Sequence, residues 1–195
     1  LSRRNLAERK LSAIEYTILG IAWKRGPCTT YALMRELQAS TSTYYKSRAG
    51  TAYPVVERLV AAGLLQAEEA TGAKGEKFVG LTQAGEVALI EWITPPIDPE
   101  DVAHTVDLLR LRVFYLGAAD PELRSKYLDA AFAGLEAQQE ELKRAMARYA
   151  ELGDAFSEFA TLGVLYETKA RIDWLADVRD RIIAAPRGRP PTHGR

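Results

Sequence analysis

The chain has 195 residues, 47% of them hydrophobic, with 26 Lys/Arg against 26 Asp/Glu, enough apolar material for a core in one or two domains. No apolar run approaches the roughly 18 residues of a membrane-spanning helix, and the polar, basic first ten residues lack a signal-peptide pattern. One cysteine, Cys28, and two distant histidines, His104 and His193, exclude an internal disulfide and any metal cluster by spacing, and fit a reducing cytoplasm with no cofactor.

The neutral total hides an uneven distribution. Residues 1–93 carry 12 Lys/Arg and 9 Asp/Glu, residues 94–186 carry 11 and 17, and residues 187–195 carry 3 and 0. The first part and the tail are basic and the middle is acidic, so a polyanion partner would meet the ends, not the middle. The chain begins at Leu1 without methionine, which leaves the true start open.

In chain order, residues 1–10 form a basic arm, read as a solvated tail ahead of a groove-binding one. Ser12 caps a first helix whose stripe is Ile14, Thr17, Ile18, Ile21 and Ala22, with Leu19 and Trp23 as further core, ended by Gly26-Pro27. Thr29 and Thr30 are cap residues for a short helix with Tyr31, Leu33, Met34 and Leu37. A Ser/Thr-rich run follows, then Tyr44-Tyr45-Lys46 as a loop that touches a sugar-phosphate backbone or closes the core.

Ser47 is the expected cap of a helix running to Ala62. Its apolar stripe would be Tyr53, Val56, Leu59, Val60 and Gly63, with Gly63 as the left-handed stop. The opposite face, Arg48, Thr51, Ala52, Val55 and Arg58, is small or basic and suits entry into a DNA groove. Pro54 predicts an irregular first turn. Two short strands, around 64–68 and 77–81, flank a turn-rich segment that puts Lys74 and Lys77 at or near a hairpin tip, where they can neutralise phosphates. Thr82 caps a helix from Gln83 to Ile93, and Thr94 to Pro99 breaks it.

The order helix, helix, helix, basic hairpin predicts a winged helix-turn-helix. The pattern Gly50-Thr51-x-Tyr53-Pro54, Arg58-Leu59, Gly63-Leu64-Leu65, then Leu81-Thr82-x-x-Gly85 resembles the PadR family of bacterial transcriptional regulators. Leu19-Gly20-Ile21 and Tyr31-Ala32-Leu33 fit the first two helices of that family. Thr30 departs from its usual glycine, and Lys77-Phe78-Val79 from its more aromatic or Arg-rich wing.

Beyond the proline break, residues 100–117 look helical. Asp120-Pro121 then starts a long helix to about Leu152, where Leu128, Leu135, Leu142 and Tyr149 recur every seven residues and Phe132, Gln139 and Met146 repeat in the offset position. A last helix, about Ser157 to Ala184, offers Leu165, Ile172, Leu175 and Ile182. The narrow seam favours a coiled-coil-like dimer, as the resemblance also implies. The expected fold is therefore mainly α: a winged helix in residues 1–93, a helical dimerisation domain in 100–185, and a basic disordered tail in 186–195. In that tail Arg187-Gly188-Arg189-Pro190 resembles an AT-hook that lies in an A·T minor groove; the alternative, a solubilising tail, is favoured.

The expected function is a homodimeric DNA-binding regulator, not an enzyme: no nucleophile–base set, phosphate loop or strand-borne carboxylate pair stands in usable context. The expected DNA contacts are Lys46, Arg48, Thr51, Tyr53, Lys74 and Lys77, with Tyr53 equally readable as core, and Arg58 engaged with a carboxylate instead. The two-fold symmetry of a dimer requires a pseudo-palindromic operator, and the resemblance implies a repressor released by a small, often aromatic effector. Trp92, Phe114, Tyr115 and Trp174 could line its site, though as dimer core they have the simpler reading. The rival reading is a winged-helix protein-interaction module on a helical scaffold, which should bind with little salt dependence.

Overall fold

A computed structural model describes residues 10–69, 77–97 and 107–187. The chain divides into two compact units, Leu1–Val102 and Ala103–Arg195. No helix among the described residues is long and apolar enough to cross a membrane.

In the first unit α1 (Ala13–Arg25) leads to β1 (Cys28–Thr29), α2 (Thr30–Ala39), α3 (Thr43–Arg48), a 3₁₀ turn (Ala49–Thr51) and α4 (Ala52–Ala61). The strands β2 (Leu65–Glu69) and β3 (Lys77–Leu81) form the hairpin, and α5 (Gln83–Ile93) closes the unit. The sheet is antiparallel in the order β1-β3-β2, with Leu65 opposite Leu81 and Cys28 opposite Val79. It is a mainly helical winged-helix fold.

Local chemistry sets the boundaries. Glu15 starts α1 by accepting from the Ser12 amide (2.9 Å) and hydroxyl (2.8 Å). The Thr29 hydroxyl caps α2 by accepting from the Ala32 amide at 3.2 Å. Gly63, at φ 74°, stops α4 in a conformation that costs a side-chain-bearing residue free energy. Thr82 accepts from the Gly85 amide and donates to the Gly63 carbonyl at 2.7 Å, so one hydroxyl caps α5 and ties it to the end of α4. The core collects Ile18, Leu19, Leu33, Leu37, Val56, Leu59 and Leu65, all nearly inaccessible to water. Trp23, expected in it, is 58% exposed: it falls beyond the Ile18–Ala22 stripe, in the last turn of α1.

The second unit holds α6 (Leu108–Tyr115), a short 3₁₀ turn, α7 (Pro121–Glu151) and α8 (Ala155–Ala184). Of the helix expected over 100–117, residues 100–106 lie outside the described residues. Asp120 caps α7 and Asp154 caps α8, with Gly153 (φ 67°) in the turn between them. The expected seven-residue repeat is real, but its partner is in the same chain. Leu128, Leu135 and Leu142 of α7 are buried, and so are Thr161, Thr168 and Leu175 of α8. Counting apolar residues alone missed the two threonines. Each returns its hydroxyl to its own helix, Thr161 to Ser157 O (2.7 Å) and Thr168 to Val164 O (2.8 Å), and so enters the seam as a small apolar group. Leu165 and Ile172 are only partly covered.

Arg124 is 1% exposed and donates to five backbone carbonyls: Gly117, Ala119, Ile182, Ala185 and Pro186. It clamps the start of α7 to the end of α8, where a cation also meets the negative end of the α8 dipole. Asp107 caps α6 and pairs with Arg171 of α8 at 3.3 Å, while the Tyr127 hydroxyl donates to Leu109 O at 3.2 Å.

Candidate nucleic-acid interface

The expected continuous helix from Ser47 to Ala62 is two helices with a 3₁₀ step between them. Ser42, not Ser47, occupies the N-cap position, so Tyr44-Tyr45-Lys46 is helical rather than a loop. The break has a simple cause. Pro54 has no amide hydrogen, and inside a long helix its ring would crowd the carbonyl four residues back. Restarting the helix at Ala52 leaves Pro54 in a first turn, where no intrahelical donor is needed.

The step also rotates the faces. Ala49, Ala52, Val55, Val56 and Leu59 are buried, so Ala52 and Val55 belong to the core and not to the groove face. Tyr53 is 49% exposed instead of leading the buried stripe. The outer surface from α3 through the 3₁₀ turn to α4 thus shows Lys46, Arg48, Thr51, Tyr53, Glu57 and Arg58.

Two of these side chains are organised by their neighbours. The Arg48 guanidinium lies 3.8 Å from the centre of the Tyr44 ring, and its Nη1 donates to the Tyr44 carbonyl at 3.3 Å. The Thr51 hydroxyl donates to Arg48 O at 2.7 Å and keeps its acceptor capacity outward. Arg58 Nε stands 3.6 Å from the carboxylate of Glu15, which is 1% exposed, so this arginine is engaged on α1. The carboxylate expected to engage Arg58 is thus Glu15, which lies 43 residues earlier and carries no local signal in the sequence.

On the hairpin, Lys77 is exposed and opens β3, with Glu69 opposite it in register. Lys74 lies outside the described residues. β2 shows an exposed acid, Glu68, which accepts from Gln66 at 3.3 Å and opposes a phosphate contact on that strand. Arg187 is exposed at the end of the described chain, and Arg189 lies outside it.

The four aromatics expected to share an effector site fall in both units. Trp92, in the first, stacks on Tyr16 with centroids 4.5 Å apart and planes 7° from parallel. In the second, Trp174 packs on the Leu128–Leu135–Leu175 cluster, while Phe114 (79% exposed) and Tyr115 (65%) meet edge-to-face at 5.1 Å. Among the described residues no group of three or more His, Cys, Asp or Glu could hold a metal ion.

Residues 18–91 match the family described as the transcriptional regulator PadR-like family. No curated protein matches the chain in sequence. Among solved structures, Bacillus subtilis PadR in complex with operator DNA aligns with TM-score 0.65 and 17% identity, over 88% of this chain and 99% of that one. The smu.1604c protein of Streptococcus mutans UA159 aligns with TM-score 0.69 and 16% identity, over 87% and 99%. Bacillus subtilis PadR in complex with p-coumaric acid aligns with TM-score 0.67 and 17% identity, over 90% and 100%. These likenesses establish the fold, helical region included. This chain therefore matches the PadR-like family over residues 18–91 and shares the fold of the solved PadR structures over most of its length.

Proposed function

We propose that the chain is a homodimeric, DNA-binding transcriptional regulator, a repressor that recognises a pseudo-palindromic operator. The observation that carries this reading is the outward surface of α3 and α4. It is a winged-helix recognition segment showing two hydroxyl-bearing side chains, Thr51 and Tyr53, and two cations, Lys46 and Arg48. Arginine and hydroxyl donors read base edges, and lysines neutralise phosphate. Lys74 and Lys77 supply the phosphate contacts of the wing, and Arg187 and Arg189 a weaker minor-groove contact. The similar Bacillus subtilis PadR has been solved with operator DNA.

Dimerisation is supported by apolar surface left over once the hairpin seam is closed. Leu108, Phe114 and Tyr115 near one end of the unit and Phe156, Phe159 and Tyr166 on α8 are all more than half exposed. A two-fold dimer places its recognition helices about 34–36 Å apart, or a multiple of that, and so requires a two-fold related site.

Release by a small aromatic effector is the finer part of the reading. Phe114 and Tyr115 offer open ring faces to it, and the similar PadR has been solved with p-coumaric acid. Trp92 and Trp174 already face protein neighbours, each within its own unit.

The test is selection from random and genomic duplex fragments at two salt concentrations, with the native chain and the Arg48→Ala/Thr51→Ala double variant. A two-fold symmetric sequence should be enriched by the native chain, weaken steeply with salt, and be lost in the variant. The alternative, a protein-interaction module, finds support in the exposed Glu68 and the neutral net charge. It would give no enriched duplex and binding that ignores salt.

A further inference from the structure

We propose that Tyr44 is a positioning residue that holds Arg48 ready to read a base, so that the two side chains act as one recognition unit. This rests on the reading of α3 and α4 as the segment that enters the DNA groove.

Tyr44 and Arg48 are four residues apart on α3, and therefore share one face of the helix. The guanidinium carbon lies 3.8 Å from the ring centre, well within the roughly 6 Å at which a cation and an aromatic face attract. Its Nη1 donates to the Tyr44 carbonyl at 3.3 Å, which fixes a second point. The same carbonyl accepts from the Ser47 hydroxyl at 3.1 Å. The ring is itself supported: Tyr45 meets it edge-on, with centroids 5.0 Å apart and planes at 87°, and Tyr45 packs against the core of the unit. A chain of contacts thus runs from the core through Tyr45 and Tyr44 to Arg48.

An isolated surface arginine samples many rotamers and loses that freedom when it binds. Here the ring contact and the carbonyl bond hold an exposed side chain at two points. Among the described residues Nε and Nη2 of Arg48 make no hydrogen bond, so a donor edge remains for the two acceptors of a guanine, O6 and N7. Ordering the reader before contact lowers the cost of binding. The phenol hydroxyl plays no part in the stack. The ring does, and this separates the positioning role from a direct contact by the hydroxyl.

The experiment uses the full chain and the duplex it enriches from a random-sequence pool. Affinity is measured for native protein, Tyr44→Phe, Tyr44→Leu, Arg48→Ala and the Tyr44→Leu/Arg48→Ala pair, on that duplex and on versions changed at one base pair each. Tyr44→Phe should bind like the native chain. Tyr44→Leu should lose about two- to fivefold, the size of an exposed cation–π contact, and lose discrimination at the same base pair as Arg48→Ala. In the Arg48→Ala background it should cost nothing further. In the free protein, Arg48 Nε should relax as an ordered group in native and Tyr44→Phe chains and as a mobile one in Tyr44→Leu. Tyr44→Met serves in its place where leucine disturbs the fold.

Additive losses, a loss spread over all base pairs, or an Arg48→Ala variant that binds normally each overturn this proposal while leaving the regulator reading intact. A native chain that enriches no duplex overturns both.

Discussion

A side-chain carbon on Gly85 would lie 2.1 Å from the carbonyl oxygen of Leu64 and 2.8 Å from a methyl of Leu81. Residue 85 is in the first turn of α5, where the helix crosses the end of the hairpin, and Thr82 binds that same Leu64 carbonyl at 3.1 Å. The Leu81-Thr82-x-x-Gly85 motif is thus a joint: the threonine latches the helix and the glycine lets it come close. Gly85→Ala should destabilise the first unit by about 1–3 kcal/mol or more, because the obstacle is backbone and cannot rotate away. Urea denaturation followed by circular dichroism checks this, and an unchanged midpoint would refute the joint.

Arg124 is the corresponding joint in the second unit. Arg124→Met would leave five carbonyls without their donor and remove a cation from the end of α8. We expect a loss of about 3 kcal/mol, from hydrogen bonds to a charged group together with carbonyls left unsatisfied. Arg124→Lys should recover less than half of it, since an ammonium cannot span carbonyls that a planar fork can. Thermal melts of the three proteins at equal concentration give the comparison.

Glu15 holds the start of α1 and meets Arg58 of α4. Glu15→Ala should cost about 1–2 kcal/mol, mostly from the lost capping contacts to Ser12. Glu15→Gln, which still accepts from Ser12, should cost under about 1 kcal/mol, because Arg58 is half exposed and its ion pair is screened by water. Equal losses in the two variants would mean that the charge matters more than the cap.

Burial pushes the Cys28 thiol above its ordinary value of 9.0; Arg25 pulls it down in part, and Glu36 adds to the rise. Burial likewise raises Tyr127 above 10.0. Both groups are neutral when protonated, so the unfolded chain gives up these protons first. Stability should be flat in these groups below about pH 9 and fall as pH rises beyond it, because the native state then holds more protons than the unfolded one. Urea midpoints at pH 8 and pH 10 test the direction. Cys28→Ala and Tyr127→Phe should each flatten the decline. Folded Cys28 should also resist alkylation at neutral pH until the chain unfolds.

The winged helix was legible because its signals are local. Thr29, Gly63 and Thr82 act within a few residues of themselves, and their capping and turn chemistry can be read directly. The faces of α4 were not, because periodicity counted from Ser47 assumes an unbroken helix. The 3₁₀ turn at Ala49–Thr51 resets the phase, sending Ala52 and Val55 inward and Tyr53 outward. β1 is two residues long and has no period to detect. Arg124 could not be found at all, since three of its acceptors lie 58 to 62 positions away and are backbone atoms, which any residue type supplies. The stacking of Arg48 on Tyr44 was within reach, as an i,i+4 pair, once Tyr44 was placed in a helix.

The α7–α8 hairpin satisfies its own heptad repeat, with Leu128, Leu135 and Leu142 facing buried positions of the same chain. The second unit thus buries this repeat within one chain. Diluting the protein should separate any dimer into folded single chains, and the melting of the helices should shift little over a hundredfold range of concentration, as mass action requires when folding and association are separate steps. A dimer assembled from such units would come apart rather than come undone, and a subunit freed by dilution or by exchange would be ready to pair again.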